Sequence, residues 1–412
     1  MFFKLALKSL LNRKGSVILT LAAMSVSIFV LLAIEHIRYQ AKESFDNTVS
    51  GVDLIVGSRT GSINLLLYSV FRVGSPTNNI TWDSYQAISS NSKVKWAIPI
   101  SLGDSHKGYR VMGTSQDYFE FFSYGNRHQL TFAKGNPFND IFDVVIGSEV
   151  AKKLGYSVGD SLVLSHGIAA TSFSVHDDRP FTVVGILSPT GTPVDQTLHV
   201  SLAGIEAIHM DWQHGVKMPG SNITTDQIKQ LTLQPKSITA VMLGLTSRMA
   251  TFRVQRDINH YKKEPLLAIL PGVALSELWQ MMAVLESTLR LISVLILVAA
   301  LLGLSAMLLA SIRERNYEIQ LFRVVGASPI FLFLLIELEA LLITIGSTLF
   351  AVIMLYLCLL TAGDFLAAEY GLYIEPNILS ESIVTLLLII SVATVIAAAI
   401  PSFTMYKRAN RV

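Results

Sequence analysis

The chain has 412 residues, 51% of them hydrophobic and 15% charged, with a formal net charge of +2 at pH 7 and a single cysteine, Cys358. So little charge in so apolar a chain is low for a soluble protein, and the near-neutral balance gives no case for nucleic-acid binding. One cysteine excludes an internal disulfide, and the length holds two or three domains.

In chain order, Lys4, Lys8, Arg13 and Lys14 precede an apolar run at about Ser16 to Glu35. That run is long enough to cross a bilayer core of roughly 30 Å. Its positive flank is that of a signal peptide, but no obvious small-x-small cleavage site follows, which predicts an uncleaved signal anchor. His36 to Val49 is polar with helical spacing. Val52 to Gly57 reads as a buried strand, and Gly57 to Ser62 as a loop. Val144 to Gly147, Ser161 to Leu164 and Phe181 to Leu187 read as strands, with β-branched residues between turn signals. Ser148 to Leu154 and Ser201 to His209 read as helices, and Pro189-Thr-Gly-Thr-Pro193 as a turn cluster. Ser276 to Arg290 reads as a helix entering the next apolar run. The exported stretch of roughly 240 residues is ample for an ordinary core without disulfides.

Three more apolar runs follow, at about Leu291 to Ile312, Ile330 to Leu360 and Ile383 to Phe403. The middle one is too long for a perpendicular crossing, so it tilts, kinks or begins in the interface. Arg313, Arg315 and Arg323 lie between the second and third spans, and Lys407, Arg408 and Arg411 follow the fourth. Gly363 to Ser380 carries Asp364, Glu369 and Glu375 but no Lys or Arg. The basic bias puts both termini and the central loop in the cytoplasm. The expected fold is an α-helical membrane domain of four transmembrane helices plus a large mixed α/β periplasmic domain inserted between the first and second helices. Its boundaries fall at 1–37, 38–290 and 291–412.

Arg313 to Pro329 is a charged, helix-like island between two spans, which suits reception of force from a cytoplasmic partner. Ile319, Phe322 and Arg323 share one face by i, i+3 and i+4 spacing. The alternative is a basic membrane-surface helix. Gly326-Ala-Ser328-Pro329 provides a helix stop and a restart. Glu337 and Glu339 enter the third run, where a buried carboxylate is functional by default. The reading adopted is that this end is still interfacial and both carboxylates reach water. Ser347 and Ala351 make one small-x-x-x-small step, suited to close helix contact or to plain lipid exposure. Cys358 is expected to be buried in the third span.

All nine histidines (His36, His106, His128, His166, His176, His199, His209, His214 and His260) fall outside or at the edge of that side. His166, His176 with Asp177 and Asp178, and His209 with Asp211 and His214 are metal-capable donors. None has the tight i, i+4 or H-x-H spacing, so no metal site is assigned. The chain has no G-x-x-x-x-G-K-[ST] phosphate loop, and no Ser/His/Asp or paired-carboxylate arrangement supports hydrolysis.

One combination of motifs spans most of the chain. It comprises Arg315-x-x-Glu318-Ile319-x-Leu321-x-Arg323-x-x-Gly326-Ala-Ser328, then Glu339-Ala340 and Gly346, and Ala398-Ala-Ile-Pro401 followed by Lys407-Arg408. Val145-Ile-Gly147, Leu154-Gly155, Val158-Gly-Asp160 and Phe181 to Leu187 complete it outside the membrane. In this combination the chain resembles the permease subunits of type VII ABC transporters, which include macrolide exporters, lipoprotein-releasing systems and FtsX-like permeases. The exported region is too large for the cell-division branch. The resemblance implies a non-catalytic permease in the bacterial inner membrane that binds no cofactor itself. A separate ABC ATPase subunit would carry ATP and Mg and dock at Arg315, Glu318, Ile319, Phe322, Arg323 and Gly326. Glu339, Gly346, Ser347 and Pro401 would pack the spans. A second permease copy or paralogue, a periplasmic adaptor or binding protein, and the lipid bilayer are the other partners. ATP hydrolysis would be converted into movement of the periplasmic domain, acting on a periplasmic or outer-leaflet substrate such as a lipoprotein or peptide. Handling of metal ions or small molecules, and activation of a periplasmic protein without transport, remain the alternatives.

Overall fold

The computed structural model describes residues 2–167, 179–210, 212–213, 216–217, 227–228, 231, 233–314, 316–370, 378 and 380–409. The chain opens with two helices, α1 (Phe2–Leu11) and α2 (Lys14–Asn47). The apolar run after Lys14 and the polar stretch after Glu35 are therefore one continuous helix. Nothing in the sequence reading anticipated α1. Its Phe3, Leu7 and Leu11 are exposed at i, i+4 and i+8, while Ala6 and Ser9 are buried. That division gives a short helix one inner face and one apolar outer edge.

The following residues build a mixed sheet around nine strands: β1 (Leu54–Ser58), β2 (Val94–His106), β3 (Tyr109–Thr114), β4 (Phe132–Gly135), β5 (Asp143–Ile146), β6 (Phe181–Leu187), β7 (Thr197–Ser201), β8 (Ala240–Leu245) and β9 (Leu266–Ile269). Their spatial order is β9-β1-β8-β2-β3-β7-β5-β6-β4, with two-residue strands at Ser161–Leu162 and Ser165–His166 beside β6 and β2. β5 with β6 and β3 with β7 are parallel pairs, and the other neighbours are antiparallel. β1 and β8 are buried along their whole length, as strands covered on both faces are. The covering helices are α3 (Ser62–Leu66), α4 (Trp82–Ser89), α5 (Asp117–Phe121), α6 (Ser148–Leu154), α7 (Leu202–His209) and α8 (Thr251–Asn259). α6 and α7 stand where the sequence placed them, and Ser201 caps α7 by accepting from Gly204 N at 2.9 Å. The first and last strands of this unit lie side by side, Ile55 opposite Ile269.

Four further helices are α9 (Pro271–Glu314), α10 (Asn316–Val324), α11 (Pro329–Tyr370) and α12 (Glu381–Ala409). Among the described residues four helical stretches are long and apolar enough to cross a membrane: Lys14–Gln40, Pro271–Glu314, Pro329–Thr361 and Glu381–Lys407. The chain divides into two compact units. One gathers Met1–Ala41, Met282–Ala367 and Ile374–Val412, and the other Lys42–Met281 with Ala368–Tyr373. The core of the first follows helical stripes: Met24, Ile28 and Leu32 on α2, and Leu297, Leu301, Leu304, Leu308 and Ile312 on α9. Exposed positions such as Leu302, Leu349 and Leu388 are apolar too, so the helices are apolar all round, as lipid requires.

Two expectations are overturned here. Cys358 is exposed, because the buried stripe of α11 runs through Ala351, Leu355 and Leu359 and leaves position 358 on its outer side. Glu337 and Glu339 do not reach water; they are 8% and 2% exposed. The reason is α1: Ser9 donates its hydroxyl to Glu339, and Phe2 packs edge-on against Phe331 at 5.0 Å. Glu337 faces Ser402 of α12.

Candidate functional site

The island between the second and third spans folds as α10, and its ends show why it is so short. Gly326 adopts φ +99°, a left-handed conformation that favours glycine. Ala327 N donates back to Phe322 O at 2.9 Å across it, the six-residue bond of a Schellman stop. Two residues on, Ser328 Oγ accepts from Phe331 N at 3.2 Å and Pro329 occupies the first turn of α11. The stop and restart expected from Gly326-Ala-Ser328-Pro329 are both present.

Of the expected α10 face, Ile319 and Arg323 lie outside the described side chains, and only Phe322 can be placed. Tyr317, Leu321, Val324 and Val325 are 80%, 55%, 83% and 81% exposed, following i, i+4 and i+7. Phe322 turns the other way and packs on the bundle core. The helical period forces this choice, since one face must anchor α10 to the bundle. Arg315 and the side chains of Glu318, Ile319 and Arg323 lie outside the described residues. Beside the turn, α1 and the start of α11 enclose a groove of ≈ 830 Å³, lined by Phe2, Leu5, Phe322 and Phe331 with Lys4 and Lys8.

The expected packing residues sit inside the bundle. Gly346 lies against Leu21, Ser347 is fully buried and donates to Leu21 O at 3.2 Å, and Ala351 is buried one step on. The small-x-x-x-small step therefore serves close contact with α2. Pro401, inside α12, removes the N–H that would bond the Ala397 carbonyl. Ser305 of α9 supplies the missing donor, its hydroxyl 2.9 Å from Ala397 O and 3.0 Å from its own Leu301 O. In lipid no water can do this, so a neighbouring helix must. The sequence held the proline signal but not its partner, because the pairing spans 92 residues.

A second group escaped the sequence reading altogether. Arg38 of α2 is bonded to Glu35 and lies 2.8 Å from Glu286 of α9, while Arg290 reaches Glu35 at 3.8 Å and Glu286 at 3.7 Å. Four half-buried or exposed charges of alternating sign thus clamp α2 to α9. In the sequence Glu35 and Arg290 stand only as segment ends, since i, i+3 spacing says nothing of the helix opposite.

Among the described residues the histidines do not converge. His106 is bonded through Nδ1 to Val163 O at 2.6 Å and through Nε2 to Tyr156 Oη at 2.9 Å, and burial lowers its pKa. His199 is fully buried, stacked on Tyr118 at 5.2 Å, and burial together with the Arg72 charge pushes its pKa down to about 3. His209 lies 3.5 Å from Asp104, whose carboxylate outweighs burial and raises its pKa. His176, Asp177, Asp178, Asp211, His214 and the His166 side chain lie outside the described residues. Among the described residues no group of three His, Cys, Asp or Glu side chains is placed to hold a metal ion.

Comparison with known proteins gives two family matches. A MacB-like periplasmic core domain matches residues 17–259, and an FtsX-like permease C-terminal domain matches residues 290–409. Among solved structures, the periplasmic region of MacB from Actinobacillus actinomycetemcomitans is 11% identical, with a TM-score of 0.35, over 56% of this chain and 94% of that one. The extracellular domain of the noncanonic ABC-type transporter YknZ from Gram-positive bacteria is 12% identical, with a TM-score of 0.31, over 53% of this chain and 98% of that one. Among curated protein sequences none matches the chain.

Proposed function

Because this chain belongs to the type VII ABC transporter permease family, we propose that it receives force from a separate ATPase pair and passes it to its periplasmic unit. It is a multi-pass inner-membrane protein with a periplasmic domain, and the permease components of its family are generally non-catalytic. The observation that carries the proposal is the exposed apolar edge of α10, Tyr317, Leu321 and Val324, held between two membrane-length helices by a capped stop and a capped start. An apolar edge so short and so rigidly seated suits a protein partner better than a lipid surface.

Transmission outward would use α2 and α9. At 1.5 Å per residue their 34 and 44 residues extend about 51 and 66 Å, well beyond a bilayer core. The Glu35–Arg38–Glu286–Arg290 clamp makes the two helices move as one arm. The substrate is taken from the periplasm or the outer leaflet, in the manner suited to a lipoprotein or peptide, and is not threaded from the cytoplasm. ABC ATPases close in pairs around nucleotide, so a four-span permease supplies two copies or pairs with a paralogue.

Leu321→Asp and Glu318→Lys test the docking face. Losing a charged hydrogen bond in an interface costs about 1.5–3 kcal/mol, tenfold or more in affinity. Both variants should lose co-purification with the ATPase and permease-stimulated ATP hydrolysis, while inserting normally. Unchanged capture and unchanged stimulation would put the coupling surface elsewhere.

A further inference from the structure

The α/β unit contains a pocket of ≈ 740 Å³ formed beside the first turn of α9 and the end of β8, lined by none of the residues assigned above. Its floor is built with care for shape. Trp96 on β2 stacks flat on Phe121, ring centroids 5.9 Å apart and 5° between planes. Gly244 lies opposite Trp96 on β8, where any Cβ would collide with the indole. Phe252 and Val273 complete the apolar lining, although they are 71% and 53% exposed.

The rim has the opposite character. Lys95, Arg127 and Arg248 all line the pocket, and among the described residues none of the three forms an ion pair or a side-chain hydrogen bond. The one acid in the lining is Asp53, and its Oδ2 is already bonded to Leu245 N at 2.7 Å. Arg127 also sits at φ +62°, in the left-handed region that disfavours a side chain bearing Cβ. An apolar floor ringed by uncompensated cations, two of them guanidinium forks matched to carboxylate geometry, is complementary to one kind of molecule.

We propose that this pocket binds an amphiphilic organic anion, its apolar body against Trp96 and its carboxylate or sulfonate between Lys95, Arg127 and Arg248. The site stands independently of the coupling reading: it requires no ATPase and no movement.

The test uses the full chain in lipid nanodiscs and three probes that share one 1-naphthylmethyl body, 1-naphthylacetate, neutral 1-naphthylacetamide and cationic 1-naphthylmethylamine. Saturation-transfer difference NMR reads their binding, with empty nanodiscs as the background. Naphthylacetate should bind, the amide should bind about tenfold more weakly or less, and the amine should stay at background. Arg127→Glu with Arg248→Glu, both exposed and without partners to lose, should abolish naphthylacetate binding and admit the amine. Equal saturation of all three probes, indifference to the charge reversal, or no naphthylacetate signal at millimolar concentration would each overturn the assignment.

Discussion

At the scale of single residues, the sharpest consequences come from polar groups with partners far away in sequence. Ser305 and Pro401 form such a pair, joined through the Ala397 carbonyl. Ser305→Ala should destabilise the bundle by about 0.6–1.7 kcal/mol, the range for interhelical hydrogen bonds in membranes. Pro401→Ala restores an N–H to that carbonyl, so the same Ser305→Ala change should be nearly silent in its background. Equal losses in both backgrounds, measured by denaturant unfolding of the purified permease, would deny the pairing. His199 carries a different signature. It is neutral when folded, with a pKa near 3, but once unfolded it takes up a proton below about pH 6.5. Its contribution is therefore present above about pH 6.5 and is lost as pH falls, by about 1.4 kcal/mol per unit, or about 2 kcal/mol by pH 5. His106, also depressed, adds to this loss, while His209, raised beside Asp104, opposes it. His199→Phe, which keeps the aromatic stack, should flatten the acid limb of thermal stability. An unchanged limb would assign the acid sensitivity to other groups.

At the scale of elements, legibility followed period and chemistry. The spans were readable because lipid demands long runs such as Leu291 to Ile312. α6 and α7 were readable because Ser201 and the Gly147–Ser148 start are local signals. β8 escaped because Ala240–Leu245, buried along its whole length, shows no alternation and lacks the glycine-marked loop at Gly57 to Ser62 that set off the equally buried β1. α1 escaped because ten residues beside a strong span look like its flank, and its buried face depends on Glu339 and Phe331, more than 300 residues on. The side on which Phe322 packs was not legible for the same reason: spacing defines the faces of α10 but not which one the bundle claims. The clamp between α2 and α9 is an element-scale device, since single exposed pairs contribute at most about 1 kcal/mol and only a network fixes two helices. Spin labels at Tyr39 and Met282, in a Cys358→Ala background, should give one narrow distance that survives nucleotide binding. Arg38→Ala should broaden it while ATPase docking persists. A distribution as narrow as before would show that apolar packing alone sets the pairing.

At the scale of the whole molecule, topology is the first thing to verify. Basic residues favour one side at every short loop, so reporters fused at Ala133 and Ser328 should fall in opposite compartments, and same-side signals would sink the arrangement. The pairing of β1 with β9 then has a consequence for how the protein is made. The exported unit closes on itself once Ile269 has emerged, whereas the membrane unit takes α2 from the start of the chain and its other helices from beyond Met282. During synthesis the periplasmic part can therefore finish folding while α2 waits alone in lipid. Met24, Ile28 and Leu32 then face acyl chains, and Leu21 O and Ser347 have not yet met. A chain truncated at Arg290 and released from the ribosome should already carry a protease-resistant exported unit on a single, unpartnered anchor, and that anchor is the form a membrane insertase must shelter until the last three spans arrive.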